Sequence, residues 1–410
     1  MSDFKKLSKR IDTFEEDAIE LERKLTSLVA MAPENGGDGE YEKAEFLKQV
    51  LKEIGFHEIK EIKAPDNRVT AGYRPNIIGI YPGKDHSRKI WIMTHMDVVP
   101  PGDLRLWKGD PWKAWVEEGK IYGRGVEDNQ QEMVASILAV KALAMEGITP
   151  EYDVGLVFVA DEETGSEYGI KYVLKTKKDI FQKEDLIIVP DGGNEDGTMI
   201  EVAEKGILWI KFTVKGKQTH GSTPDRGINA HKAGANLIVK LDKLYTIFDY
   251  KDELFDPPGS TFEPTKKEAN VPNVNTIPGE DVFYFDCRIM PKYSLDEVIQ
   301  EVQKIAKEVE EEFKVEIELS FPQKAPAAPP TPPDAPVVKA LQKAIKEVTG
   351  RDAKPMGIGG GTVAAVFRAA GFYAAVWATM DETMHSPNEY AKIENIINDA
   401  KVYAHIFTQK

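Results

Sequence analysis

The sequence predicts an α/β fold, a mixed-sheet domain with helices on both faces that is interrupted by an inserted α+β unit. Three observations lead there. Four short apolar runs, NIIGIY at 76–81, KIWIMT at 89–94, VGLVFVA at 154–160 and LIIVP at 186–190, alternate with helical stretches at 130–146 and 166–175. Continuous runs of that length read as strands buried on both faces. At residue 207 the pattern changes, and after a proline-rich stretch at 322–336 the α/β alternation returns.

Taken in order, Ile11, Phe14, Ala18, Leu21, Leu25 and Leu28 recur at helical spacing, and residues 41–54 do so again before Gly55. The four buried strands and their helices come next. From 207 a strand (ILWIKFTVK), a helix near 229–246, a strand at 282–289, a long helix near 294–313 and a strand near 315–320 form a compact α+β unit. The stretch PQKAPAAPPTPPDAP at 322–336 reads as a stiff, extended connector. A helix at 335–349, the cluster GIGGG at 357–361, a strand at 373–378 and a final helix complete the chain. The expected organisation is therefore 1–206 and 323–410 as one domain, with 207–322 inserted.

At 410 residues the chain exceeds the size at which one core stops growing, so two domains are expected. Its 41% hydrophobic and 30% charged residues describe a globular protein. No apolar run approaches the roughly 18 residues that span a bilayer. The segment MSDFKKLSKRIDTFEED lacks the apolar core of a signal peptide, so a cytoplasmic location is expected. One cysteine, Cys287, rules out an internal disulfide and reads as a buried small apolar residue. A net charge of −15 argues against nucleic acid or an anionic membrane as partner.

The residues just past each strand are more telling than the strands. KIWIMT runs into His95-Met96-Asp97, VGLVFVA into Asp161-Glu162-Glu163, and LIIVP into Asp191. Ligands of open α/β sheets bind beyond the carboxyl ends of strands, so these side chains are expected at one edge. Several carboxylates in one cleft repel each other unless cations compensate. Two divalent ions would do so. Added histidines, His95 and His385, make a mixed imidazole and carboxylate set that suits zinc, with cobalt or manganese also able to fit. A two-metal site needs a bridging carboxylate, and Asp128 in its tight Gly-rich loop before a helix is suited to it. Asp97, two residues after His95, is placed to accept the imidazole's second N–H. Of the neighbouring Glu162 and Glu163, one can ligate while the other moves a proton.

The set THMDVVP (94–100), YGRGVEDNQ (122–130), DEETGS (161–166), PDGG (190–193) and MHSPNEY (384–390) resembles the M20 metallopeptidase family. KQTHGSTPDRGINA (217–230), NVNTIPG (273–279) and DCR (286–288) resemble that family's lid, which mediates dimerisation in many members. The resemblance implies a hydrolase of linear amide bonds, with His95, Asp128, Glu163, Asp191 and His385 as ligands of two metal ions and Asp128 as their bridge. It makes Glu162 the general base and Asp97 the residue that orients His95. It implies that His220 stabilises an oxyanion and that Asn275, Arg288, Gly360, Gly361 and Thr362 contact substrate. A small peptide or N-acyl amino acid is the implied substrate, and a homodimer through the lid the implied assembly. Asn129-Gln130-Gln131 and Val363 depart from the family pattern, which bears on substrate choice. Asp191 stands where peptidase branches tend to carry Asp and acylase branches Glu, so a dipeptidase or carboxypeptidase is expected.

Competing readings stay open. An N-acyl amino-acid deacylase, such as a desuccinylase or deacetylase, would share these ligands, and a metal-binding scaffold without turnover would not need Glu162. His220 could serve only the approach to the 229–246 helix, and Arg288 could only pair with Asp286. His57, His86, His231 and His405 read as surface or packing residues, and the Glu-rich run at 308–312 as a solvated helix face. The glycine cluster lacks the spacing of a dinucleotide fingerprint.

Overall fold

The computed structural model describes residues 2–410 and divides into two compact units. One runs to Val202 and takes in Pro330–Pro355 and Thr362–Lys410. The other comprises Ala203–Pro329 and Met356–Gly361.

The large sheet has eight strands in the order Glu58–Pro65, Tyr73–Tyr81, Tyr152–Val159, Asp85–His95, Leu186–Val189, Ala374–Val376, Met199–Glu204 and Lys354–Ile358. The four from Tyr152–Val159 to Ala374–Val376 run parallel, and antiparallel neighbours flank them. The sheet is therefore mixed. Trp91, Met93, Val157, Val159, Ile187 and Val189 share one buried cluster with Ile170, Val173 and Phe367. The alternate residues Ile90, Ile92, Leu156 and Phe158 are buried as well, with helix Gln131–Glu146 on their strands, Tyr41–Ile54 on Tyr73–Tyr81 and Pro336–Thr349 on Leu186–Val189. Helices on both faces explain why the strands read as unbroken apolar runs. Gly155 is required, since a Cβ there would lie 2.0 Å from the Trp91 ring. Among the described residues, no helix is long and apolar enough to cross a membrane.

In the second unit an antiparallel sheet runs Thr261–Lys267, Glu280–Ile289, Gly206–Lys215 and Glu316–Ala325. Leu208, Ile210, Phe212 and Val214 alternate into a core with Phe283, Phe285, Cys287 and Ile289, covered by helices Ala230–Leu241 and Leu295–Phe313. The Phe212 and Phe283 rings stack at 4.9 Å, and burying each contributes roughly 1.5–3 kcal/mol. Ser294 and Glu297 close a capping box at the start of Leu295–Phe313.

Two differences from the sequence reading have physical causes. The strand expected near 315–320 continues to Ala325, so the proline-rich stretch begins inside a strand. It lies at the sheet edge, and the register shifts between Ser320 and Gln323, where Pro322 has no N–H to give. Further on, the connector is pinned: the Thr331 amide donates to the Val202 carbonyl at 2.8 Å and its hydroxyl to the Ala374 carbonyl at 2.6 Å.

Candidate active site

Parallel strands deliver their carboxyl ends to one edge of the sheet. His95 is the last residue of Asp85–His95, Asp161–Glu163 follows Tyr152–Val159, and Asp191 follows Leu186–Val189. The loop after Ala374–Val376 carries His385, and Asp128 lies in the turn before helix Gln131–Glu146.

These side chains meet. His95 Nε2 lies 2.9 Å from Asp128 Oδ1 and 3.5 Å from Asp191 Oδ1. His385 Nε2 lies 3.2 Å from Asp128 Oδ2 and 3.1 Å from Glu163 Oε1. The two oxygens of Asp128 thus face two different histidines. Donors bonded to one tetrahedral ion at about 2.0–2.2 Å sit roughly 3.3–3.6 Å apart, so these side chains stand close enough to share divalent cations after small adjustments. Two trios, His95 with Asp128 and Glu163 and His95 with Glu162 and Asp191, have donor atoms within 4.8 Å of one another. The donor set fits a pair of divalent cations.

The electrostatics describe the same crowding. Burial pushes Glu162 well above the ordinary carboxyl range, helped by the charges of Asp191, Asp97 and Glu163. Burial also raises Glu163. Burial opposes the ionisation of Asp128, yet His385 and His95 together hold it below its usual value. Hydrogen bonds to Asp128 and then Glu163 push His385 up to about 10. His95 is raised as well, because the carboxylates of Asp128, Asp191 and Asp97 outweigh its burial. Protons on the two imidazoles balance acids that divalent cations would otherwise balance.

Asp97 lies beside His95 as expected, with its Oδ1 3.5 Å from His95 Nδ1, and its other contacts are closer. Its backbone carbonyl, 3.0 Å from His95 Nδ1, accepts from the imidazole. Its buried carboxylate instead accepts the amides of Glu162 and Glu163, each at 3.0 Å. Asp97 therefore fixes the two glutamates more directly than the histidine.

Two acids that sequence reasoning missed support the expected ligands. Buried Glu389 accepts the amides of Gly125, Glu127 and Asp128 at 3.1, 3.0 and 3.1 Å, and also pairs with Arg124. Glu127 accepts the amide of Asp381 at 2.6 Å and the hydroxyl of Thr383 at 2.7 Å, tying down the loop that carries His385. Both glutamates stand beside ligands in the motifs around 122–130 and 384–390. No local pattern pairs them across more than 250 residues. Asn129 donates to the Pro190 carbonyl at 2.6 Å and to Asp191 Oδ1 at 3.3 Å, which anchors the strand end bearing Asp191.

The other expected substrate contacts lie mostly in the second unit. His220 and Thr276 pair across a two-stranded ribbon, which places His220 beside Asn275. His220 Nδ1 lies 2.7 Å from the Ser222 hydroxyl. Arg288 donates to both Asp286 oxygens, at 2.6 and 3.0 Å, and to the Gly359 carbonyl at 2.8 Å. Gly360 and Gly361 follow in that unit, and Thr362, in the first, lies 3.3 Å from Glu201.

Comparison with known proteins agrees with this geometry. The chain is 44% identical over 406 residues to an uncharacterized metallohydrolase of Methanocaldococcus jannaschii, covering 95% of this chain and 98% of the relative. It is 30% identical over 274 residues to a succinyl-diaminopimelate desuccinylase of Wolbachia pipientis, covering 66% and 64% of the two chains. The crystal structure of aminopeptidase PepT from Bacillus cereus superposes with a TM-score of 0.74 at 18% identity, covering 96% of this chain and 98% of that one. The description "Peptidase family M20/M25/M40" matches residues 91–409, which hold His95, Asp128, Glu163, Asp191 and His385, and the chain belongs to that family of metal-dependent amide hydrolases.

Proposed function

We propose that the chain is a two-metal hydrolase that cleaves an amide bond in a small peptide, in the manner of a dipeptidase or carboxypeptidase. One observation carries this reading: Asp128 offers its two oxygens to separate histidines, His95 and His385. His95 and Asp191 would hold one ion and His385 and Glu163 the other, with Asp128 bridging. Zinc suits the donors, and cobalt or manganese would fit. When bound, the ions would acidify a water and polarise the scissile carbonyl.

The remaining work falls to the protein. Glu162 has its amide fixed by Asp97 and its carboxyl raised by burial, so it is suited to take a proton from the attacking water and hand it to the departing nitrogen. Arg288 spends three of its five N–H groups on Asp286 and Gly359, leaving two for a substrate carboxylate. His220, Asn275, Gly360, Gly361 and Thr362 complete the proposed substrate contacts. We place the enzyme in the cytoplasm as a homodimer joined through the inserted unit, a state that light scattering tests directly.

A second reading, an N-acyl amino-acid deacylase, is favoured by the likeness to the Wolbachia desuccinylase. Turnover of dipeptides against acetyl- and succinyl-amino acids by metal-reloaded enzyme separates the two. Glu162→Gln should retain two ions and lose about 10²–10⁴ in kcat. Full activity in that variant would end the assignment of the base, and hydrolysis of acylated amino acids alone would favour the second reading.

A further inference from the structure

Behind the strand-end acids lie three buried cations, Lys43, Arg74 and Arg124. Two of them have carboxylates of their own. Arg74 donates to Glu40 through Nε at 2.6 Å and again through Nη2, and Arg124 pairs with Glu389. Lys43 is different. Its Nζ donates to the Met96 carbonyl at 2.9 Å, between His95 and Asp97, and among the described residues no carboxylate oxygen forms an ion pair with it.

Four acids surround Lys43 closely enough to act on its charge: Asp97, Glu22, Glu40 and Glu389. Glu40 and Glu389 are already matched by the two arginines. Glu22, on helix Glu15–Ser27, is 0% exposed, and neither of its oxygens is hydrogen-bonded. A buried carboxylate in that condition is costly, and burial accordingly raises Glu22 well above the usual range. That leaves Asp97, held by two neutral amides and close to His95. The cluster ahead of Lys43 contains five carboxylates, on Asp97, Asp128, Glu162, Glu163 and Asp191. Two divalent ions would balance four of those charges.

We propose that Lys43 is a positioning residue of the metal centre, a fixed cation behind the His95–Asp97 segment that balances the acid left over by two divalent ions. It acts through Met96 and Asp97, which place His95 and the paired glutamates. Glu22 fills the space beside it without claiming its charge. The inference rests on the two-metal reading above.

The test compares Lys43→Met and Glu22→Gln in the metal-loaded enzyme, following kcat, KM, metal retained in a chelator titration, and the thermal midpoint. Lys43→Gln, which keeps a donor for Met96 without the charge, replaces Lys43→Met if that variant does not fold. Loss of a unit charge several ångströms from the cluster should lower kcat about 10- to 100-fold. KM should stay within about threefold, and the ions should withstand about tenfold higher chelator, because removing a nearby positive charge leaves the carboxylates a stronger hold on divalent cations. Glu22→Gln should match the parent in kcat and chelator resistance. If Glu22→Gln falls as far as the Lys43 variant, the two form an ordinary ion pair and the inference is wrong. It is equally overturned if loss of the charge lowers the thermal midpoint alone. The chelator titration needs no substrate, so failure of the peptide reading and failure of this inference are separate results.

Discussion

Asp97→Asn isolates what the Asp97 carboxylate does. In the parent, its two oxygens accept the amides of Glu162 and Glu163 at 3.0 Å each, while the His95 ring is served by the Asp97 backbone carbonyl. Asparagine keeps one acceptor and turns an NH₂ toward the other amide. One charge-assisted hydrogen bond is lost, worth about 1.5–3 kcal/mol, and a buried N–H is left facing a donor. If about 2–3 kcal/mol of that appears in the placement of Glu162, kcat falls roughly 30- to 150-fold. Metal affinity should change less than kcat, because the carbonyl 3.0 Å from His95 Nδ1 is untouched while the carboxylate stands farther off at 3.5 Å. The assay pairs steady-state kinetics with metal content after gel filtration. A tenfold or greater loss of metal with kcat per occupied site preserved would refute the reasoning, since it would put the carboxylate's main role on His95.

Two further outcomes come from the buried charges. Metal-stripped enzyme should lose stability as pH rises, because the folded value for His385, about 10, lies above the unfolded 6.5. That contribution is complete below 6.5 and gone above 10. Raised Glu162 and Glu163 act in the same sense from lower pH. Thermal midpoints of stripped and metal-loaded protein across this range should diverge, and parallel curves would contradict the assignment. Arg74→Met leaves Glu40 buried and uncompensated, which should cost about 3–5 kcal/mol in urea unfolding, whereas Arg74→Met with Glu40→Met should recover most of it. Equal losses in the single and double variants would count against a buried pair.

How much could be read from the residues depended on whether the cause was local. Tyr73–Tyr81, Tyr152–Val159 and Leu186–Val189 were legible because helices bury both of their faces, which leaves an unbroken apolar signature. Glu58–Pro65 was not, since it is an edge strand with charged residues along it. Met199–Glu204 and the three short strands Trp115–Glu117, Lys120–Tyr122 and Tyr390–Lys392 were equally hidden, the last group being too short for any period to show. At the site, the acids and histidine that directly follow strands stood out because the strand end itself aims them. The anchors did not. Glu389 and Glu127 look like any other acidic residue until the fold brings backbone amides from distant segments to them. That the Asp97 carbonyl comes nearer to His95 than its carboxylate does is set by backbone direction, which residue types do not encode.

The order of donors along the chain has a consequence for biosynthesis. By the time residue 202 has been made, His95, Asp128, Glu163 and Asp191 exist, but His385, Glu389 and the strand Ala374–Val376 do not. That strand lies between Leu186–Val189 and Met199–Glu204 in the finished sheet. A nascent chain therefore carries a gap in its sheet until Ala374–Val376 is made and lacks His385 until the residues just beyond it emerge from the ribosome. The proposed two-metal site can close only after Ala374–Val376 has docked and the loop beyond it has brought in His385, which would keep a half-made chain from acting as a hydrolase.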